Sequence, residues 1–229
     1  MRIKVLTENT ASSPLFDCEH GLSLYIETDA GVKILFDMGQ TDIFAENAKK
    51  LSVDLSLVDI AVLSHGHYDH GGGLLKFLDI NSSSPIYVSR HAFGEYYNAD
   101  GKYIGLDPSI LDNGRIVLTD NNICLQDGIE LLVGENFQPI EPITSYGLLE
   151  KINGLTFPDP FIHEQYLLIE ENGKRILFSG CSHRGIFNIM QWCSPDVFVG
   201  GFHFMKLDAD TDEGRSVLEG YAKRLLKYP

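Results

Sequence analysis

Four potential metal ligands lie within six residues, in the segment His65-Gly-His67-Tyr-Asp69-His70. Imidazole nitrogens and carboxylate oxygens are preferred ligands of zinc and similar divalent metal ions. His65 and His67 alternate, so their side chains point the same way if the chain is extended there, and Asp69 and His70 fall in the following turn. This density predicts a site for one or two divalent metal ions, with zinc preferred and iron or manganese as alternatives.

The position of this cluster in the chain supports the same interpretation. The apolar run Ile60–Leu63 predicts a buried strand that ends directly at His65. Glycines 71–73 follow and allow a tight turn into the next, apolar helix. The alternative, a histidine-rich surface loop, does not explain why the cluster lies between a buried strand and an apolar helix.

One segment rarely closes two metal sites, so we expect further ligands at other strand ends. Cys181 and His183 follow an apolar strand, His203 ends another, and His163 precedes a third. A thiolate at residue 181 would be stabilised by a metal ion and by the N-terminus of the next helix. The alternative for Cys181 is a buried structural cysteine, and the alternative for His163 is a polar loop residue. His183 could bind a metal ion, orient another ligand or transfer a proton.

The remaining candidates concern catalysis and the substrate. Asp69, His183 and His203 are the predicted catalytic groups, and Asp69 could orient a water molecule. His20, Ser182 and Arg184 are the predicted substrate-binding residues.

Ser182 and Arg184 precede a helix whose N-terminus, at Gly185, suits an anionic substrate group. The alternative for Arg184 is a solvated surface charge.

Length and composition limit the class of protein. A chain of 229 residues with 44% hydrophobic and 22% charged residues fits one globular domain, which we place at 1–229. Its four cysteines form no CxxC pair, and the N-terminus has no signal-peptide pattern, so we expect a cytoplasmic protein. The net charge of −14 argues against a nucleic-acid partner, and no apolar run is long enough to span a membrane. We expect a small-molecule substrate, and the oligomeric state stays open.

The order of elements predicts an α+β fold. A β-rich first half is followed by a second β-α-β set, which indicates two mixed β-sheets packed face to face with helices outside, an αββα four-layer sandwich. Closely spaced strands at 116–118, 123–125 and 129–133 predict antiparallel pairing among them. Residues 139–161 carry four prolines and predict an irregular binding loop or a disordered insertion.

The His-x-His-x-Asp-His segment with its glycines resembles the signature of the metallo-β-lactamase fold superfamily. Six stretches together resemble one subgroup, the metal-dependent hydrolases grouped with dihydropterin ribofuranosyl-aminobenzene phosphate synthase. These stretches are Glu19–Ser23, Ile34–Gln40, Leu63–Leu74, Asp159–Gln165, Ser179–Gly185 and Gly200–His203. The resemblance implies the αββα fold and a hydrolase that uses a metal-activated water on an ester, thioester, amide or phosphoester.

The resemblance also implies two sets of metal ligands. The first ion would be held by His65, His67 and His163. The second would be held or bordered by Asp69, His70 and Cys181.

Similar chains continue past the last helix into a further strand that supplies a histidine, and no such segment follows the last helix of this sequence. Whether the C-terminal strand of the fold is present therefore stays open. So does the question of whether His183 or His203 replaces that histidine, and whether His163 or His183 completes the first site.

Two other functions remain possible from the sequence. The first is a metal-dependent transferase that joins a pterin diphosphate to an aminobenzene ribosyl phosphate. The second is a non-catalytic metal-binding protein. Release of diphosphate from two substrates would distinguish the transferase, and metal binding without turnover would distinguish the binding protein.

Overall fold

A computed structural model describes residues 1–204 and 207–228 of the chain. The strands within these residues are β1 (Arg2–Thr7), β2 (Ser23–Glu27), β3 (Lys33–Phe36), β4 (Ile60–Val62), β5 (Ile86–Ser89), β6 (Glu95–Tyr97), β7 (Ile116–Thr119), β8 (Ile123–Gln126), β9 (Ile129–Val133), β10 (Leu149–Ile152), β11 (Leu155–Pro158), β12 (Gln165–Glu171), β13 (Lys174–Ser179) and β14 (Val197–Gly200). The α-helices are α1 (Ile43–Lys50), α2 (Tyr68–Gly71), α3 (Leu74–Ile80), α4 (Ile186–Cys193) and α5 (Asp212–Leu225).

Two mixed sheets form the centre of the fold. The first sheet has the strand order β1-β2-β3-β4-β5-β7, antiparallel from β1 to β3 and parallel from β3 to β7. The second sheet has the order β14-β13-β12-β9-β8, with parallel pairing only between β13 and β14. The predicted pair of mixed sheets is confirmed.

The two sheets pack face to face through alternate residues of their strands, because successive side chains point to opposite faces. Phe36 of β3 meets Phe178 of β13, with ring centroids 6.2 Å apart. The same buried cluster joins Ile34 and Val62 of the first sheet to Leu167 of the second. This apolar contact fixes the distance between the two sheets, and therefore the distance between the loops at their edges.

Helices cover both outer faces. Leu35 of the first sheet packs with Phe44 of α1 and Phe77 of α3, all of them buried. On the second sheet, Leu168 packs with Ile189 of α4. Helix α5 then lies on α4 through partly buried residues such as Tyr221 and Leu225. The predicted αββα layering is confirmed.

Two predictions about the middle of the chain are wrong. Of the three strands expected to pair with one another, β8 and β9 do pair in antiparallel fashion, but β7 pairs in parallel with β5 of the first sheet and not with β8. The stretch 139–161, expected to be irregular, contains the hairpin β10–β11, which joins β6 in a third, three-stranded sheet. Its turn is Asn153-Gly154, both with left-handed φ of 51° and 81°. An Asn-Gly pair strongly favours this turn type, but the prolines of the stretch favoured the prediction of an irregular loop.

Within the described residues, we find no helix with the length and hydrophobicity required to cross a membrane.

Candidate metal centre

The candidate residues meet where several strands end at one edge of the sandwich. His65 and His67 follow β4, and Asp69 and His70 lie on the short helix α2. β12 is antiparallel to β13, so His163, before β12, lies beside the end of β13 that leads to Cys181 and His183. His203 follows β14, which runs parallel to β13. The three later strand ends therefore converge on the first cluster, as the sequence predicts.

The first group of possible ligands is His65, His67 and His183, all at most 3% exposed. One ring nitrogen of each lies within 4.8 Å of the others. Among residues 1–204 and 207–228, Nε2 of His65, Nε2 of His67 and both ring nitrogens of His183 have no hydrogen-bond partner. Buried polar atoms without partners are rare, because each costs free energy. The donor set therefore fits a divalent metal ion.

The protonation state of this group suits metal binding. Burial lowers the pKa of His65 and of His183 well below the usual range, and the neighbouring histidines lower it further. Both imidazoles are thus neutral near pH 7, which leaves a lone pair for a metal ion.

The second group is His65, His70 and Cys181. Nε2 of His70 lies 3.1 Å from Sγ of Cys181 and 3.7 Å from Oδ2 of Asp69. Burial raises the pKa of the Cys181 thiol, and His70 opposes this shift. Asp69 lies at the border of this group and outside the sets of donors that are mutually within 4.8 Å.

A third group, His67, Asp159 and His163, differs in its hydrogen bonds. The Gly66 N–H donates to Nδ1 of His163 at 3.0 Å, and Nε2 of His163 donates to Oδ2 of Asp159 at 3.1 Å. Although burial favours the protonated carboxyl, the hydrogen bond from His163, together with His67 at 3.7 Å, holds the pKa of Asp159 below its usual range. His163 therefore has partners for both nitrogens, whereas His183 has none among the described residues. The geometry favours His183 over His163 in the first group.

A cavity of about 220 Å³ opens in front of the cluster. Its lining residues are His20, His67, Tyr68, Asp69, Asn98, Ile104, Leu148, Cys181, His183 and His203. The predicted catalytic residues and His20 therefore face one common space. None of these lining residues is a lysine or an arginine.

Two histidines line this cavity without belonging to a ligand group. Nε2 of His20, an exposed residue, lies 3.3 Å from Oδ2 of Asp69, and its Nδ1 lies 3.1 Å from Oδ1 of Asn9. His203 is half-buried, and burial, with the nearby His67, lowers its pKa to about 4. His203 is thus a neutral imidazole near pH 7, and within the described parts of the chain its Nδ1 lacks a partner.

Comparison with known proteins identifies the family. A sequence model of the metallo-beta-lactamase superfamily matches residues 17–200, which is most of the chain. The chain belongs to the metallo-beta-lactamase superfamily. The resemblance described from the sequence is confirmed.

Two curated relatives of this chain come from Methanocaldococcus jannaschii. One is 7,8-dihydropterin-6-methyl-4-(beta-D-ribofuranosyl)-aminobenzene-5'-phosphate synthase, 30% identical over 97% of this chain and 83% of the relative. The other is an uncharacterized protein, 29% identical over 99% of this chain and 84% of the relative.

Two solved structures agree with the fold. Tm1679, described as a metal-dependent hydrolase of the beta-lactamase superfamily, has a TM-score of 0.76 and 27% identity and covers 96% of this chain and 83% of its own. An N-acyl homoserine lactone hydrolase with its product at the catalytic metal centre has a TM-score of 0.51. At 15% identity, over 79% of this chain and 80% of its own, it supports the fold alone.

Asp37 is a residue of this superfamily member that the sequence reasoning missed. It is fully buried at the end of β3, with a left-handed φ of 58°. Its carboxylate accepts hydrogen bonds from the Ser64 N–H and hydroxyl, both at 2.7 Å, and from Nδ1 of His70 at 2.6 Å. Nδ1 of His65 in turn donates to the Ser64 hydroxyl at 2.8 Å. One carboxylate thus holds both imidazoles through Nδ1, directly for His70 and through Ser64 for His65. This leaves Nε2 of His65 without a partner among the described residues and Nε2 of His70 beside Cys181. The feature of the sequence that could have indicated this role is the position of a charged residue directly after an apolar strand.

Glu164 is a second missed residue, and it holds the loop that carries His183. It is fully buried and accepts the backbone N–H groups of His183 at 2.8 Å and Arg184 at 3.0 Å. The Tyr166 hydroxyl also donates to it at 2.7 Å. Burial raises the pKa of this carboxyl. Its position next to the candidate His163 was the only signal in the sequence.

Two predicted substrate-binding side chains face the backbone instead of the 220 Å³ cavity. Arg184 is 4% exposed, and its guanidinium donates to the carbonyls of Pro160 and Phe137, both at 3.2 Å. The Ser182 hydroxyl donates to the Gly201 carbonyl at 2.6 Å. These contacts hold the loops around His183 together. Arg184 is therefore neither a solvated charge nor a group that lines this cavity.

Proposed function

We propose that this protein is a metal-dependent hydrolase that acts on an ester, thioester, amide or phosphoester of a small anionic molecule. The observation that carries the proposal is the set of unpartnered, buried imidazole nitrogens of His65, His67 and His183 beside an open cavity. Buried polar atoms without hydrogen-bond partners are retained where they serve a bound group or a reaction.

In this proposal, His65, His67 and His183 hold a first divalent ion, which we propose to be zinc. His70 and Cys181, with Asp69 at the border, hold a second ion. A divalent ion at such a site acts as a Lewis acid and promotes the ionisation of water. The neutral state of the buried imidazoles supports this assignment, because protonated histidines cannot bind a metal ion.

Other residues of the chain handle protons and the substrate. Asp69 and His20 are 3.3 Å apart and face the cavity, so the pair can accept a proton from water and return it to a leaving group. Nδ1 of His203 is free to contact the substrate. The cavity lining has no basic residue other than histidine, so an anionic substrate would be attracted by the roughly +4 of charge that two divalent ions add.

The size of the cavity supports water over a second organic substrate as the attacking group. Pockets for drug-sized ligands usually measure about 300–1,000 Å³. A cavity of about 220 Å³ suits one small substrate and a water molecule better than two phosphorylated substrates side by side.

The test is turnover of a panel of carboxyl esters, thioesters, amides and phosphoesters by the zinc-loaded protein in ¹⁸O-labelled water. A hydrolase places one ¹⁸O atom in the released acid or phosphate, and a His67→Ala variant loses this activity. If zinc binds to two equivalents but no compound is cleaved, the non-catalytic alternative replaces this proposal.

A second candidate is the transferase, and it is favoured by the 30% identity to a protein named as a synthase. It predicts release of diphosphate from a pterin diphosphate only when an aminobenzene ribosyl phosphate is present. The released diphosphate would then carry no ¹⁸O from water, and this result would support transfer over hydrolysis.

A further inference from the structure

A second, smaller cavity borders the candidate metal centre on the side of α4. It has a volume of about 100 Å³ and shares His183 with the 220 Å³ cavity. We call it the side pocket. Its aromatic lining residues are Tyr146, Phe187, Phe202, Phe204 and Tyr221. His183 thus stands between the proposed site of bond cleavage and a pocket with aromatic walls.

Two of the aromatic rings that line the side pocket are exposed. Tyr146 is 41% exposed and Phe202 is 37% exposed. The Tyr146 ring lies 5.3 Å from the ring of His203, and Phe202 lies nearly parallel to Phe204 at 5.7 Å. Exposed aromatic faces at the entrance of a pocket can stack on a planar ligand.

Two polar residues of the side pocket, Glu141 and Asn188, are already engaged. Glu141 forms an ion pair with Arg224, and Arg224 also lies over the Phe187 ring at 3.6 Å from its centroid. The Asn188 amide accepts the Ile140 and Glu141 N–H groups at 2.9 Å and donates to backbone carbonyls. The wall is therefore held in place, and its carboxylate is neutralised, which suits an uncharged ligand group.

We propose that the substrate carries a single aromatic ring that enters the side pocket while the group to be cleaved lies at the metal centre. This inference rests on the proposed function and names its substrate class. Benzene binds in an engineered protein cavity of about 150 Å³. The side pocket, at about 100 Å³, is smaller than that cavity and therefore admits no more than one ring. Because His183 lines both spaces, the substituent of that ring would point toward the 220 Å³ cavity.

The test compares two stable anions that differ only in the ring, phenylphosphonate and methylphosphonate. Their binding to the zinc-loaded protein is measured by titration calorimetry. Tyr146→Asn removes one ring but keeps a residue that tolerates the left-handed φ of 54° at this position. Phe202→Leu removes the other ring. Phe157→Leu, on β11, is the matched control, because Phe157 is 43% exposed and does not line the pocket.

We expect phenylphosphonate to bind at least about fivefold more tightly than methylphosphonate, the preference that aromatic stacking of ordinary strength gives. Tyr146→Asn and Phe202→Leu should reduce that preference to less than about twofold, without changing methylphosphonate binding, and Phe157→Leu should keep it. Equal binding of the two anions by the unaltered protein overturns the inference. A Phe157→Leu variant that loses the preference for phenylphosphonate as much as the two pocket variants do also overturns it.

A second measurement separates failure of the pocket from failure of the proposed function. Phenol is titrated into metal-free protein while the nuclear magnetic resonance signals of the Tyr146 and Phe202 rings are followed. Shifts of the Tyr146 signals that disappear in Phe202→Leu support the pocket even if neither phosphonate binds, a result that would count against the metal centre alone. Absence of shifts in the unaltered protein overturns the pocket.

Discussion

Replacing Asp37 by asparagine should weaken metal binding, although the two side chains have nearly the same size and shape. The carboxylate accepts three hydrogen bonds, from the Ser64 N–H, the Ser64 hydroxyl and Nδ1 of His70. An asparagine can still accept the first of these. Its NH₂ group would then face the Ser64 hydroxyl and the His70 N–H, which are both donors. His70 would have to move its proton to Nε2, the nitrogen that lies beside Cys181.

The expected magnitude follows from these contacts. Loss of an outer hydrogen-bond partner typically lowers metal affinity about 10- to 100-fold, or about 1.4–2.7 kcal/mol. Because Asp37 reaches His70 directly and His65 through Ser64, both candidate groups should be affected. A hydrogen bond to a charged group also contributes about 1.5–3 kcal/mol to folding, so the metal-free variant should be less stable by a similar amount.

The assay is a zinc titration against a chromophoric chelator, with urea denaturation of the metal-free protein as a separate measurement. Asp59→Asn is the matched control. Asp59 also lies at the end of a strand of the first sheet and accepts a backbone N–H, from Lys33 at 2.8 Å, but it is exposed. Zinc affinities of Asp37→Asn within about twofold of the unaltered protein, well short of the range above, would refute the role assigned to Asp37.

Three further predictions address the centre and the core. Loss of an outer hydrogen-bond partner lowers metal affinity about 10- to 100-fold. The zinc affinity of His163→Ala should fall within that range, whereas the zinc affinity of His183→Ala should fall by more. Equal losses of affinity in chelator titrations of the two variants would contradict the assignment of His183. Gly180→Ala should lower the free energy of unfolding by about 1–3 kcal/mol in urea, because its Cβ would lie 2.2 Å from a buried serine hydroxyl, whereas Gly114→Ala, with open space around it, should not. Burial raises the pKa of the Cys193 thiol from 9.0 to about 12, so only the unfolded chain ionises between these values and stability falls as pH rises. From pH 8 to pH 10 this costs about 1.4 kcal/mol. Denaturation curves at the two pH values should therefore show a loss of stability for Cys193→Ala that is smaller than the loss for the unaltered protein by about this amount.

The sequence predicted the fold well where the pattern was local. Buried strands such as Ile34–Phe36 and Leu167–Ile169 are apolar runs bounded by turn residues, so their existence follows from composition. Pairing does not follow in the same way. β7 is only a few residues from β8 but joins the other sheet, because sequence distance does not determine which exposed edge a strand meets.

The candidate site shows the same limit. The density of ligands from His65 to His70 and the recurrence of histidine or cysteine at later strand ends were visible in the sequence. The choice between His163 and His183 was not, because it depends on hydrogen bonds to Asp159 and the Gly66 N–H that only the folded chain creates. Asp37 was missed for a similar reason, since its partners are 27 and 33 residues away.

The central claim is that His183, with His65 and His67, completes the first metal site. Crystals grown with zinc and measured at the zinc absorption edge test it directly. The account predicts an anomalous peak at zinc–nitrogen bonding distance, about 2.0–2.1 Å, from one ring nitrogen of each of these three residues. A peak bonded instead to His163 and Asp159, with His183 uncoordinated, would contradict it.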